Sequence, residues 1–139
     1  PKYLGWLKEN LAANPASFAA RHRVMKMPVE EALKVLAREG QSFDVIITDP
    51  PSASSDGQKR TSALQAYEAQ AEGLRRLLAP GGALLTFLNT HTVSAHKFET
   101  HLKPLFGGLK IHRRFGLTGD CPTVKGFPEG DYLKGILWS

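Results

Sequence analysis

The sequence predicts an α/β protein built on a mostly parallel sheet that ends in an antiparallel pair. Three observations carry that prediction. Short apolar runs rich in β-branched residues alternate with longer stretches whose apolar residues recur at helical spacing. The run Phe43-Asp44-Val45-Ile46-Ile47-Thr48 has the composition of a strand buried on both faces of a parallel sheet, and Asp49-Pro50-Pro51 cuts it off. The last two apolar runs, Leu109 to Phe115 and Tyr132 to Trp138, are separated only by a loop and are expected to be antiparallel neighbours.

Composition bounds the rest. A chain of 139 residues has the size of one domain with one core. Its 42% hydrophobic and 22% charged content is that of a globular protein. No run of about 18 apolar residues and no leader pattern occurs, so neither a membrane span nor secretion is indicated and a cytoplasmic location is expected. The one cysteine, Cys121, offers neither an intrachain disulfide nor a metal-ligand spacing. The net charge of +5 is compatible with a polyanionic partner such as RNA.

Taken in order, Tyr3 to Ala13 is expected to be helical, with Leu4, Leu7 and Leu11 on one stripe and Asn14-Pro15 as its stop. His22 to Met27 reads as a weak strand, because Arg23 and Lys26 interrupt Val24 and Met25. Pro28 suits the first turn of a helix in which Val29, Ala32, Leu33 and Leu36 recur until Gly40, with Glu30 and Glu31 near its positive end. Ser52 to Lys59 reads as a polar loop. Leu64, Tyr67, Ala71, Leu74 and Leu78 mark one face of a long helix closed by Pro80-Gly81-Gly82. Ala83 to Leu88 is the next buried strand, and its end carries Asn89, Thr90 and His91. Val93 to Phe106 is expected to be a helix with Phe98, Leu102, Leu105 and Phe106 inward, stopped by Gly107-Gly108. The Gly- and Pro-rich loop from Gly116 to Asp131 holds Cys121 and is long enough to be functional.

The candidate site starts at Asp49. A carboxylate has no place inside a buried strand without a partner, and Pro50 and Pro51 remove two backbone donors and fix φ, so the strand must end there. Asp49 is then held at the carboxyl end of a central strand, where open α/β sheets place their ligands. The same residues are equally suited to capping a turn and terminating a strand.

The order of elements resembles the Rossmann-like class I S-adenosylmethionine-dependent methyltransferase fold. In wording the chain is similar to the bacterial large-subunit ribosomal RNA methyltransferases of the cytosine-5 type that carry a PUA domain. The resemblance rests on Phe43-Asp44-Val45-Ile46 with Asp49-Pro50-Pro51, on Leu77-Leu78, Gly81-Gly82 and Leu84-Leu85-Thr86-Phe87, and on Phe127-Pro128-Glu129-Gly130-Asp131-Tyr132-Leu133-Lys134-Gly135. It implies S-adenosyl-L-methionine as cofactor and RNA, most simply ribosomal RNA, as acceptor. It places Asp49, Pro50 and Pro51 between donor and base, with Asn89 and Thr90 at the next strand end as further catalytic positions. Met27, Pro28 and Asp49 become the donor-binding positions, and Lys59, Arg60, Cys121 and Lys125 the RNA-binding ones. The loops Ser52 to Lys59 and Gly116 to Asp131 would flank the base pocket, since a base in folded RNA must be unstacked first.

Three departures qualify that reading. The fold's opening strand with its Gly-rich donor loop, and the next strand with its acidic ribose-binding residue, find no counterpart. Residues 1–139 are therefore expected to be the C-terminal part of one catalytic domain, with the N-terminal remainder of the same protein as partner, little activity alone, and possible homo-oligomers through exposed strand edges. The missing strands would lie between His22–Met27 and Phe43–Thr48, so the former is expected to lack a partner within the chain. At Met27-Pro28 the usual acidic acceptor near the adenine is absent. Finally, making 5-methylcytosine needs a thiolate that adds to C6, yet Leu88-Asn89-Thr90 stand where that cysteine belongs. A related group that methylates guanine N7 also carries Asn there. The alternatives are a methyltransferase of the same fold acting on a small molecule or protein, and a degenerate RNA-binding domain.

Overall fold

A computed structural model describes residues 2–14, 22–55, 60–119, 124, 126–127 and 130–139, with backbone alone at 53–55 and 60–61. Helix α1 (Lys2–Ala12) buries none of its residues, so the Leu4-Leu7-Leu11 stripe faces no core here. Residues 22–26 join no strand ladder. The weak strand read from His22 to Met27 is thus not formed, as expected of a segment without a neighbour in the chain. Arg23 instead donates to both carboxylate oxygens of Glu39 and fastens the segment beside the end of helix α2 (Val29–Arg38). Pro28 is the N-cap of α2 and stands just ahead of its first turn, while Glu30 and Glu31 lie inside that turn.

Strand β1 (Phe43–Thr48) pairs in parallel with β4 (Leu78–Asn89), and β4 pairs antiparallel with β6 (Leu133–Trp138), which pairs antiparallel with β5 (Ile111–Phe115). The order is β1-β4-β6-β5, so the closing antiparallel pair expected from the sequence is present. Helix α3 (Ala63–Leu77) starts on a capping box in which Ser62 and Gln65 satisfy each other's backbone N–H groups. Helix α4 (Ala95–Leu105) starts on Ser94, whose hydroxyl accepts from Lys97 N–H. Tyr67, Ala71 and Leu74 of α3 and Phe98 and Leu102 of α4 pack on Leu84, Leu88, Ile136 and Trp138 of the sheet. Thr86 shares this buried layer because its hydroxyl accepts from Trp138 Nε1 at 3.0 Å.

Three sequence expectations change. Pro80-Gly81-Gly82 does not close the helix: α3 ends at Leu77, and residues 79–82 form a bulge in β4 opposite Asp44. Gly82 is required there, because a Cβ would stand 2.9 Å from Ala79 O and 3.0 Å from Asp44 O. The Ser52–Lys59 stretch is not wholly irregular: β2 (Ala53–Ser55) pairs antiparallel with β3 (Arg60–Ser62). Strand β1 is not buried on both faces. Ile46 packs on the helical core, but Val45 and Ile47 are 57% and 66% exposed, because β1 is an edge strand whose second face has no covering layer among the described residues.

On that open face Phe87 lies across Gly135, where a Cβ would stand 2.6 Å from the Phe87 ring. Gly135→Ala is expected to lower stability by about 1–3 kcal/mol through overpacking, measured by urea unfolding. Among the described residues no helix is long and apolar enough to cross a membrane.

On the other side of the molecule Glu99 of α4 accepts two hydrogen bonds from Arg114 of β5, at 2.6 and 2.9 Å, and sits 2.9 Å from Lys103 Nζ. The Arg114 bonds first, and Lys103 next, hold its carboxyl down at about 2. Folding lowers this pKa, so the contribution to stability is complete above the ordinary value of 4.5 and is lost as pH falls through about 2. Glu99→Gln should therefore lower the urea midpoint near neutral pH, with a deficit that shrinks as pH is lowered through that window. A deficit independent of pH would contradict the assignment.

Candidate active site at the sheet rim

The carboxyl ends of β1 and β4 lie at one rim, and the sequence explains why β1 stops there while β4 runs on to Asn89 beside β6. After the last paired residues, Thr48 and Thr86, Pro50 can no longer donate to a ladder. Asp49 is left exposed while Pro50 is buried beneath it. A cleft of about 630 Å³ opens beside them, bounded by Met25, Met27 and Val29 on one side and Ile47 to Pro51 on the other, with Gln70 and Leu74 of α3 as part of its wall. The larger part of its lining is apolar, and Gln70 is fixed by donating to Glu30 Oε1 at 3.1 Å. Among the described residues Asp49 makes no ion pair or side-chain hydrogen bond, so its carboxylate is available to a ligand.

The cleft gathers Met27, Asp49, Pro50 and Pro51. Pro28 is not on its wall; it caps α2. Asn89 and Thr90 lie on the neighbouring strand end, outside this cleft. The two ends are joined because Ser52 Oγ donates to the Asn89 carbonyl. Thr90 is held on three sides: its N–H donates to Tyr132 O at 2.9 Å, its carbonyl accepts from Lys134 Nζ at 2.7 Å, and its hydroxyl contacts Thr92 Oγ1 at 2.9 Å. Its hydroxyl is therefore engaged with Thr92, and no hydrogen bond to His91 occurs among the described residues. Arg60 contributes backbone to β3, and its side chain lies outside the described set. Lys59, Cys121 and Lys125 lie outside the described residues.

Two side chains of this rim carried no functional signal that sequence reasoning used. Tyr67 was read only as part of an apolar helix face, yet its hydroxyl lies 2.6 Å from Phe87 O and 3.0 Å from Thr48 O. It spans the ends of β1 and β4 directly behind Asp49. Burial first, and the negative charge of Asp49 as well, push the phenol above its ordinary range, so it stays a proton donor. Lys134 is a lone cation in the apolar strand Leu-Lys-Gly-Ile-Leu-Trp, and that isolation was the available signal. Its ammonium is buried and donates to Thr90 O and Asp131 O. Tyr67→Phe leaves two strand-end carbonyls without their donor, and a loss of about 1–3 kcal/mol in urea unfolding is expected. Asp49 should remain exposed, with faster amide exchange at the ends of β1 and β4.

Comparison with known proteins places this geometry. No family model matches the chain. It is 37% identical over 132 residues, 94% of its length, to a ribosomal RNA large subunit methyltransferase of Deinococcus radiodurans, covering 32% of that protein. It is 31% identical over 117 residues to the ribosomal RNA large subunit methyltransferase I of Pseudoalteromonas translucida, covering 81% of this chain and 30% of that protein. The chain thus spans about a third of the length of the curated relatives it matches. Among solved structures it superposes on a methyltransferase complexed with SAH with TM-score 0.71, 20% identity, and coverage of 92% of this chain and 37% of that one. A SAM-dependent methyltransferase from Agrobacterium tumefaciens superposes with TM-score 0.70 at 14% identity, covering 99% of this chain and 46% of that one. The rim bearing Asp49 therefore belongs to a chain with the Rossmann-like fold of the S-adenosylmethionine-dependent methyltransferases.

Proposed function

We propose that this chain forms the acceptor-side part of an S-adenosylmethionine-dependent methyltransferase acting on RNA, most simply on large-subunit ribosomal RNA. The observation that carries the reading is the carboxylate of Asp49, without a partner among the described residues, followed by two prolines at the end of a parallel strand and lining a largely apolar cleft of about 630 Å³. That cleft is in the size range of small-molecule sites, roughly 300–1,000 Å³, and suits an adenosyl group. Met27 and Ile47 would contact its apolar surface, and Asp49 would accept from its polar edge. When bound, S-adenosylmethionine supplies an electrophilic methyl group on a sulfonium. The work of this chain is to hold a nucleophilic ring atom in line with it: Asp49 and the carbonyls around Pro50 and Pro51 accept hydrogen bonds from a base edge, and rigid prolines keep that geometry. The names of the relatives support RNA as the acceptor, and the basic net charge of +5 agrees with it.

The atom methylated is argued from chemistry. Cytosine C5 is not nucleophilic until a thiolate adds to C6, and the strand end offers Asn89 and Thr90 with no thiol. A ring nitrogen with its own lone pair needs no covalent intermediate and fits this rim better. The remainder of the donor site is assigned to an N-terminal part of the same protein, which would add strands at the free edge of β1 and a second layer over Val45 and Ile47. A second copy adding at that edge is the competing occupant.

The test is methyl transfer from labelled donor to ribosomal RNA by a protein carrying this chain together with its N-terminal remainder. Incorporation into RNA is expected, with Asp49→Ala lowering kcat/KM by about 100-fold or more, the scale of lost positioning. Transfer only to a protein or a small molecule would replace RNA as the acceptor. Absence of both donor binding and transfer would favour a degenerate RNA-binding domain.

A further inference from the structure

A buried ammonium is costly unless it is compensated, and Lys134 has no carboxylate within ion-pair distance among the described residues. It is 7% exposed at a sheet rim, and its hydrogen-bond partners among the described residues are two backbone carbonyls, Thr90 O at 2.7 Å and Asp131 O at 2.8 Å. An apolar side chain of similar length would fill the same space without that desolvation cost. What the ammonium adds is geometry. It draws Thr90, the residue after the β4 end, and Asp131, two residues ahead of β6, onto one point, and the Thr90 N–H bond to Tyr132 O at 2.9 Å closes the same junction from the other side. Next to this junction the Asn89 carbonyl accepts from Ser52.

We infer that Lys134 is a positioning residue for methyl transfer: by clamping Thr90 to Asp131 it fixes the Asn89–Thr90 wall against which the acceptor base is held. Its functional half rests on the methyltransferase reading; the clamp itself does not. The donor cleft lies at the β1 end and shares no wall residue with the clamp. Loss of Lys134 therefore acts on acceptor geometry and leaves donor affinity in place.

Hydrogen exchange on the chain tests the clamp without any need for activity. Lys134→Met should speed exchange of the Thr90 amide by about ten-fold or more while the amides of Leu84 to Thr86 keep their protection, the pattern of a local opening. Lys134→Arg, which still donates to carbonyls, should restore most of the protection. Lys134→Gln takes the place of the Met variant if the latter does not fold. In the protein that carries the N-terminal remainder, Lys134→Met should lower kcat about 10- to 100-fold with the donor Kd within about two-fold of wild type. Unchanged Thr90 exchange overturns the clamp, and a parallel loss of donor affinity and kcat overturns the positioning role in favour of general destabilisation. A wild-type protein that transfers no methyl group defeats the methyltransferase reading and with it the functional half, while exchange still decides the clamp.

Discussion

One hydroxyl under the rim governs how the two parallel strands end. Tyr67 has a single proton to give, and two carbonyls, Thr48 O and Phe87 O, converge on its oxygen. Strand ends normally lose their ladder partners to water, but these two are covered by α3, so the phenol does what solvent cannot. The aromatic ring below it is packed against Phe98 and Phe106, which fixes the height of the hydroxyl. Asp49 then has only one way to go, outward over the cleft. The strand end that carries Asp49 is held by a tyrosine from the middle of a helix that would otherwise be read as core.

What the sequence made legible follows from how local the cause is. β1 and its abrupt end could be read because the apolar run and the two prolines act within a few residues of one another. The closing antiparallel pair was legible for the same reason. Pro80-Gly81-Gly82 misled because a helix stop and a strand bulge ask for the same residues, and only the approach of Asp44 O to Gly82 distinguishes them. The β2–β3 hairpin was hidden because Ser, Asp and Gly there predict irregularity. The burial of β1 was misjudged because it depends on neighbours elsewhere in the fold: composition states what a strand can tolerate, and the covering layer decides what it receives. Met27 and Asp49 both line the cleft, whereas the tie of Asn89 to Ser52 and the burial of Lys134 are products of strand register and invisible in a linear pattern.

The sheet is asymmetric. One face carries α3 and α4 and holds the core; the other presents Val45, Ile47, Leu85, Phe87 and Leu137 with no buried side chain among them. Strands that pair in parallel are seldom stable with one face wet. Phe87 partly compensates by lying over Gly135 toward Phe115, with ring centroids 6.5 Å apart, which shields backbone that no helix covers among the described residues. The rim chemistry and the open face are therefore linked through β4: its even-numbered residues anchor the core, and its odd-numbered ones wait for a second layer.

Strand β6 comes last in sequence among the strands yet sits inside the sheet, between β4 and β5. Until it is synthesised, β5 has no neighbour and the layer beneath Trp138 has no lid. On the ribosome, α3 and the β1–β4 pair can collapse early, but closure must wait for a segment that pairs across a long sequence separation, as the contacts of Trp138 with Thr86 require. Closure of this sheet is therefore set by the arrival of β6, the strand that joins β4 to β5.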